Sequence, residues 1–229
     1  MNVLIVSIVG GILCLDRIFV QVLISRPIVA APVIGLILSD PYTGLIAGAF
    51  IELFWIDRLP IGADIPPNDT ITAVLVAASA IESGRILGQH PQELIAFAVL
   101  IFIPLALLTR KMELRVVRSN ETLARDALSD SAQGDIRSIS KNHLGAAFRS
   151  WLLPTVMILI ALPIGVGAMT WVYPRLTPWI LRGLNLVYGL IPLIGTAVAL
   201  NTSKLRGALP IFCAVFLIVT VILHYIRNV

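Results

Sequence analysis

Seven polar residues within the first seventy positions have side chains that bind hydroxyl groups, and apolar stretches separate them. They are Asp16, Gln21, Arg26, Asp40, Glu52, Asn68 and Asp69. Carboxylates accept hydrogen bonds, a guanidinium group donates them, and amides do both. Charged and amide side chains between short apolar runs therefore mark a candidate polar site at membrane depth.

Glu52 is the strongest single candidate among these residues. It follows the apolar run 41–51 without a turn residue, so we expect it on a helix inside a membrane. A carboxylate at the centre of a membrane helix costs about 2.5 kcal/mol or more, which makes it a functional candidate. The hypothesis is that Glu52 accepts hydrogen bonds from substrate hydroxyls. The alternative is a structural ion pair with Arg26, Arg58 or a partner subunit.

Asn68 and Asp69 have two interpretations of about equal weight. They bind the same hydroxyls, or one of them is the N-cap of a helix over 70–81. Gln21 is expected to face the pocket. Asp16 is a second candidate for that pocket, but an interfacial pair with the adjacent Arg17 is favoured.

Two further residues have a favoured structural interpretation. Asp40 stands in a Ser-Asp-Pro sequence that forms a good turn by itself. Arg26 either anchors a phosphate or holds Glu52 or Asp40 in a bidentate pair, and the structural pair is favoured.

The elements that carry these residues are short and interrupted. The apolar runs 27–39 and 41–51 are each shorter than the roughly 20 residues that cross a bilayer. Proline and glycine recur through both runs, and 58–69 is expected to be an irregular connection. Short hydrophobic pieces with charge at membrane depth are typical of the broken helices of transporters.

The composition predicts a protein with several membrane spans. Hydrophobic residues make up 58% of the 229 positions and charged residues only 13%, whereas soluble domains carry about 25% charged residues. The basic residues that give the net charge of +4 cluster beside apolar spans, which favours a cytoplasmic-loop bias over nucleic-acid binding. Residues 1–15 are expected to be a retained membrane segment rather than a signal peptide.

The chain divides into three regions, and we expect an all-α polytopic membrane protein. Residues 1–109 form the broken-helix region that holds the substrate site. Residues 110–149 form an amphipathic arm on the cytoplasmic side, whose helical period is interrupted at Gly134. Residues 150–229 contain three uncharged stretches long enough to cross the membrane, at 151–173, 183–203 and 207–225.

No catalytic, cofactor or metal motif is present in the sequence. His90, His143 and His224 are scattered, and none has a carboxylate or a second histidine at a suggestive spacing. We predict that none is phosphorylated and that the chain binds no metal or cofactor. Cys14 and Cys213 lie in apolar runs and indicate neither a metal site nor a disulfide.

The motifs of the first seventy residues resemble one family. Arg26-Pro27, the ladder of Gly35, Asp40, Gly44, Gly48 and Glu52, then Pro60-Ile61-Gly62 and Pro66-Pro67-Asn68-Asp69 are similar to the amino-terminal half of the IIC subunit of mannose/fructose/sorbose-type sugar phosphotransferase systems. Weaker matches follow at Arg149 with Pro154, at Gly183-Leu184-Asn185 and at Leu209-Pro210-Ile211-Phe212. Ser39 stands where glycine is usual in the family.

The resemblance implies a multi-pass permease subunit of the bacterial inner membrane. Such a subunit pairs with a IID membrane subunit to pass a sugar, for example mannose, fructose, sorbose, or an N-acetylated or amino sugar. Soluble IIA and IIB proteins supply the phosphate, and the IIC–IID pairs form homo-oligomers in the lipid bilayer.

Two other functions remain open at this point. One is a membrane-embedded enzyme for lipid or polyprenyl phosphate that uses Asp40, Glu52, Asp69 and Arg26 as its polar cluster. The other is a non-transporting receptor or regulatory remnant of a phosphotransferase system.

Overall fold

A computed structural model describes residues 2–56, 67–89, 92–202, 210–215 and 217–219. Across these ranges all regular structure is helical, which confirms the all-α prediction. The predictions for Arg58, for the connection up to residue 66, and for His90 and His224 lie outside the described residues. The span predicted at 207–225 lies only partly within them.

Seven α-helices follow one another between residues 2 and 202 of the described ranges, and residues 210–215 and 217–219 are helical as well. They are α1 (Val3–Leu15), α2 (Pro27–Ile37), α3 (Pro41–Phe54), α4 (Asp69–Leu87), α5 (Gln92–Ala132), α6 (Ile136–Val172) and α7 (Pro178–Thr202). Four of them, α4 to α7, are long and apolar enough to cross a membrane, whereas α1, α2 and α3 are shorter apolar helices. The expected contrast between short early helices and long later ones is present, with α4 as an exception inside the early region.

Helices α2 and α3 form a tight hairpin, as the two short apolar runs predict. Each begins with proline, whose fixed φ suits the first helical position. Glycines allow the two backbones to approach closely: a Cβ added at Gly48 would lie 2.4 Å from the carbonyl oxygen of Pro27, and one added at Gly44 would lie 2.7 Å from that of Ala31. The four-residue spacing of these glycines is the small-residue pattern of packed membrane helices.

Helix α4 is the centre of the bundle, because every residue from 70 to 84 is buried. Asn68, one of the two residues that the sequence left open as N-cap, caps the helix, and Gly88 ends it in the left-handed conformation with φ of 67°. The predicted end at residue 81 was wrong, since the helix continues to Leu87. Packing on all sides stabilises the helix through Gly84, which local propensity alone marks as a break.

Helices α5 and α6 form a second hairpin that extends from the membrane into the arm without interruption. The 41 residues of α5 span about 60 Å, roughly twice the hydrocarbon thickness of a bilayer. The interruption expected at Gly134 is confirmed, since this glycine has φ of 72° in the turn between the two helices. Helix α1 packs on α6, where Gly10 and Gly11 leave room for Ile158 and Thr155.

Helix α7 starts five residues earlier than the predicted span at 183, so Arg182 lies within it. The side-chain amide of Asn185 on α7 donates a hydrogen bond of 3.2 Å to Glu93 on α5, which links the two helices. Trp171 and Trp179 near the ends of α6 and α7 are exposed, as interfacial anchors are.

Candidate functional site

The polar residues of the early region gather where four helix ends meet. The carboxyl ends of α1 and α3 lie beside the amino ends of α2 and α4. The hydroxyl of Thr70, in the first turn of α4, donates a 2.6 Å hydrogen bond to the carbonyl oxygen of Ser25, which precedes α2. This bond joins the amino ends of α2 and α4, and each of these ends carries an ion pair.

Glu52 and Arg26 form the first ion pair, which is the structural partnership that the sequence left as the alternative for Glu52. Arg26 is the N-cap of α2, and Glu52 lies in the last turn of α3. The Glu52 carboxylate also accepts a hydrogen bond of 3.4 Å from the backbone N–H of Ile28. The carboxylate is therefore bound to the positive end of the α2 dipole as well as to a cation.

Arg17 and Asp69 form the second ion pair, between the residues that follow α1 and the first turn of α4. The pairing expected between Asp16 and Arg17 is wrong. Side chains of adjacent residues here point to different partners, and Arg17 reaches across 52 positions of sequence instead. Asp69 also accepts from the backbone N–H of Thr70 at 2.9 Å, so it too lies at a helix amino end.

Asp16 organises the loop between α1 and α2. Its side chain is buried and accepts from the backbone N–H of Val22 at 2.8 Å, from that of Ser25 at 3.1 Å, and from the Ser25 hydroxyl at 3.0 Å. Gln21 is exposed on the turn of this loop with φ of 59°. Asp16 therefore stabilises the α1–α2 loop, and Gln21 lies on the protein surface.

Asn68 is fully engaged within the protein. Its side-chain oxygen accepts from the backbone N–H of Ile71 at 2.9 Å, and its backbone N–H donates to the hydroxyl of Thr109 at 3.1 Å. Its amide nitrogen donates to Glu113 on α5. Sequence reasoning assigned Glu113 to the arm and missed this contact, because nothing local links two residues 45 positions apart.

Asp40 lies outside this cluster. It is the N-cap of α3, where its carboxylate accepts from the backbone N–H of Thr43 at 3.1 Å and from the Thr43 hydroxyl at 2.7 Å. Glu52 is twelve residues further along the same helix, a rise of about 18 Å. The polar cluster that the enzyme hypothesis requires, with Asp40 beside Glu52, is therefore absent from the described residues.

Ser39 has φ of 59°, in the left-handed region that glycine adopts without strain. This conformation explains why a glycine would suit the position.

A buried carboxylate that the sequence analysis missed lies further along α4. Glu82 is 3% exposed and pairs with Arg85 at 3.1 Å, and Arg85 also donates to the carbonyl oxygen of Leu38. This linkage satisfies a carbonyl at the carboxyl end of α2. The sequence gives little signal for it, since α4 is apolar on all sides and has no periodicity that marks an inward face.

The two ion pairs differ from the buried Asp16 and Asn68 because their side chains keep contact with solvent. The side chains of Arg26 and Glu52 are 24% and 15% exposed, and those of Arg17 and Asp69 are 13% and 15% exposed. An ionised carboxylate offers about four acceptor positions, of which Glu52 uses two in the described structure. The geometry therefore leaves acceptors and guanidinium donors available at one place, beside the amino ends of two helices.

Comparisons with known proteins agree with this architecture. The family model of the phosphotransferase-system (PTS) sorbose-specific IIC component matches residues 1–227. The mannose-specific EIIC component of Escherichia coli K12 is 23% identical over 215 residues, which cover 93% of this chain and 77% of that protein. The sorbose-specific EIIC component of Klebsiella pneumoniae is 25% identical over 195 residues, 84% of this chain and 70% of that protein. A cryo-EM structure of the mannose transporter ManYZ with microcin E492 has a TM-score of 0.64 at 21% identity, over 95% of this chain and 85% of that one.

Proposed function

Because this chain belongs to the sorbose-specific IIC family of the phosphotransferase system, we propose that it binds the transported sugar where the ends of its first four helices meet. It is a membrane-embedded, sugar-translocating subunit of the mannose type, in the bacterial inner membrane, and it works with a IID membrane subunit. The site that we assign to the sugar consists of the Arg26–Glu52 and Arg17–Asp69 pairs.

The observation that carries this assignment is the hydrogen bond from Thr70 to Ser25, which brings the two ion pairs together. Each pair is neutral overall, so neither places an uncompensated charge in the membrane interior, which would be energetically costly. An uncharged sugar that enters replaces water at the remaining acceptors of Glu52 and Asp69, while the guanidinium groups of Arg26 and Arg17 donate to its hydroxyl oxygens.

The buried polar groups around the site have a supporting task in this proposal. Asp16 holds the loop before α2, and Asn68 holds the start of α4, so that the two pairs keep their geometry. Asp40 and Gln21 do not contact the sugar, since one caps the distant end of α3 and the other lies on an exposed turn.

For translocation, we propose that the α2–α3 hairpin moves as one body against the long helices and the IID subunit. The glycine contacts within the hairpin support a rigid unit, because backbones packed this closely have one arrangement. The bond from Arg85 to the carbonyl of Leu38 lies at the far end of this hairpin and fits a hinge contact.

Phosphorylation is assigned to the soluble components. We propose that the sugar leaves the site at the cytoplasmic mouth, where a IIB protein phosphorylates it after receiving phosphate from a IIA protein. No residue of this chain takes the phosphoryl group. The working assembly is a homo-oligomer of IIC–IID pairs. The hexose that it carries is determined by the exact positions of the few polar groups that contact the sugar hydroxyls.

The direct test is sugar uptake by the complete system with Glu52→Gln. This change keeps the size of the side chain but removes the charge that binds Arg26 and replaces one acceptor oxygen by a donor. We expect the KM for uptake to rise roughly 10- to 100-fold, because hydrogen bonds to a charged group contribute about 1.5–3 kcal/mol each.

Glu121→Gln is the matched control, since Glu121 is exposed on the arm and pairs with Arg125. Both variants must co-purify with the IID subunit in wild-type amounts. Unchanged uptake and affinity in Glu52→Gln would remove Glu52 from the sugar site. If the wild-type complex itself takes up no sugar with its IIA, IIB and IID partners, the chain is a regulatory remnant instead.

A further inference from the structure

A groove between α5 and α6, at the base of the arm, has the shape and charge of a lipid site. It has a volume of about 400 Å³, and residues at helical spacing from both helices line it. From α5 these are Met112, Arg115, Val116 and Ser119, and from α6 they are Arg149, Leu152, Leu153 and Val156.

The groove is polar at one end and apolar at the other. Because α5 and α6 run antiparallel, Ser119 lies beside Arg149, and the Arg149 guanidinium donates to the Ser119 hydroxyl at 2.8 Å and to its carbonyl at 3.1 Å. Arg115 lies one turn along α5 from Ser119. The opposite end of the groove is lined by Met112 and Val156, about 10 Å away along the axis.

The polar end of the groove coincides with the end of the uncharged segment of α6. On α6 the residues after Arg149 are free of charge through Tyr173, and on α5 the uncharged stretch runs from Leu94 to Thr109, with charged residues from Arg110 onward. Beyond Val156 the exposed side chains of Leu159 and Ile160 continue the apolar strip into the membrane. The groove therefore crosses the level at which lipid headgroups meet acyl chains.

The two arginines have unused capacity for an anion. In the part of the chain that the structure describes, no ion pair joins Arg115 or Arg149 to a carboxylate. The bonds from Arg149 to Ser119 come from a single terminal nitrogen, and a guanidinium carries five N–H donors in total. Such a fork matches the oxygens of a phosphate.

From this arrangement we infer that the groove binds an anionic phospholipid, with the phosphate held by Arg115 and Arg149 and an acyl chain lying along Val116, Leu153 and Val156. Basic pockets between membrane helices bind acidic lipid headgroups by the same combination of charge and depth. None of the residues that line the groove belongs to the helix ends assigned to the sugar, so the inference does not depend on that assignment.

The test is a lipid titration by native mass spectrometry on the full chain co-purified with its IID subunit and stripped of lipid in detergent. The probes are phosphatidylglycerol and phosphatidylcholine with identical acyl chains. We expect wild-type protein to retain one phosphatidylglycerol per chain in preference to phosphatidylcholine. With Arg115→Gln and Arg149→Gln combined, this binding weakens roughly 30-fold, since each arginine near a lipid surface contributes roughly 5-fold.

Two further variants make the result specific. Arg125→Gln combined with Arg137→Gln removes the same charge from the exposed outer arm, and we expect it to bind lipid as wild type does. Val116→Trp fills the groove while both arginines remain, and we expect it to lose the bound lipid as well.

Three results would overturn the inference. Equal retention of both lipids removes the charge recognition, and displacement by free glycerol 3-phosphate indicates a site for a soluble phosphate. The third result has two parts: wild type shows no lipid preference, and the arginine variant loses the IIC–IID complex or the oligomer. The groove would then be a protein interface.

Discussion

Gly48→Ala should damage both the α2–α3 hairpin and the sugar site, although it adds a single methyl group. The added Cβ would lie 2.4 Å from the carbonyl oxygen of Pro27, whereas Cβ contacts under 3.0 Å are essentially never seen and ordinary van der Waals contact begins at 3.4 Å. The two backbones must therefore separate by about 1 Å. Neither partner is a flexible side-chain end that moves aside at little cost, so overpacking of this kind costs about 1–3 kcal/mol.

The same displacement reaches the ion pair one turn further along α3. Glu52 accepts from the backbone N–H of Ile28 at 3.4 Å, which is already long for a hydrogen bond, and a further 1 Å breaks it. Misplacement of a binding group by 1 Å is sufficient for effects of up to about 100-fold. We therefore expect Gly48→Ala to lower the thermal unfolding midpoint of the purified complex and to raise the KM for sugar uptake roughly 10- to 100-fold.

Gly167→Ala is the matched control for this experiment. Gly167 also lies within a helix, but a Cβ added there meets nothing within 4 Å. Alanine has the higher helix propensity, by about 1 kcal/mol, so this variant should be as stable as wild type or more stable, with normal uptake. A Gly48→Ala protein with wild-type unfolding and wild-type KM would refute the claim that close backbone contact positions Glu52.

The remaining predictions concern the polar groups that support the site and the arm. Asp16→Asn should lower the thermal unfolding midpoint, at a cost of about 1–3 kcal/mol, because an amide nitrogen then faces a backbone or hydroxyl donor. The KM for uptake should rise by less than in Glu52→Gln, because Asp16 positions Arg26 without contacting the sugar. Ser39→Gly should raise that midpoint, because glycine accepts φ of 59° without strain, and uptake should not change. At Asp135, hydrogen bonds from the hydroxyl and the backbone N–H of Ser138 hold the carboxyl pKa below its usual value, so the cap of α6 is intact above pH 4 and weakens as the pH falls below it. Hydrogen exchange in the first turn of α6 should accelerate over that range, and Asp135→Ala should show the acceleration at neutral pH.

Local signals in the sequence were sufficient for the elements of the early region. Proline at positions 27 and 41 defines the starts of α2 and α3, because its φ suits the first helical residue and Ser-Asp-Pro forms the turn between them. Asn68 was identified as a helix start by the same kind of argument. Each of these features depends on residues within about four positions of one another, which is the range over which sequence patterns are informative.

The partners of the polar groups could not be predicted in the same way. Arg17 pairs with Asp69 across 52 positions and Asn68 with Glu113 across 45, and such pairings are determined by how the helices pack. Sequence adjacency even suggested the wrong partner for Arg17. The end of α4 was misplaced for a related reason, since the helices around it stabilise the stretch through Gly84 that looks like a break in isolation.

The physical reason for the site follows from the broken helices themselves. Every helix end leaves backbone groups without intrahelical partners, and in a membrane these groups need partners from the protein. At the amino ends of α2 and α4, the backbone N–H groups donate to Glu52, Asp69 and Asn68. The two carboxylates are in turn neutralised by Arg26 and Arg17. A region built in this way contains donors and acceptors at membrane depth before any substrate arrives. At the proposed site, a sugar with its many hydroxyls can exchange with water while the ion pairs stay intact.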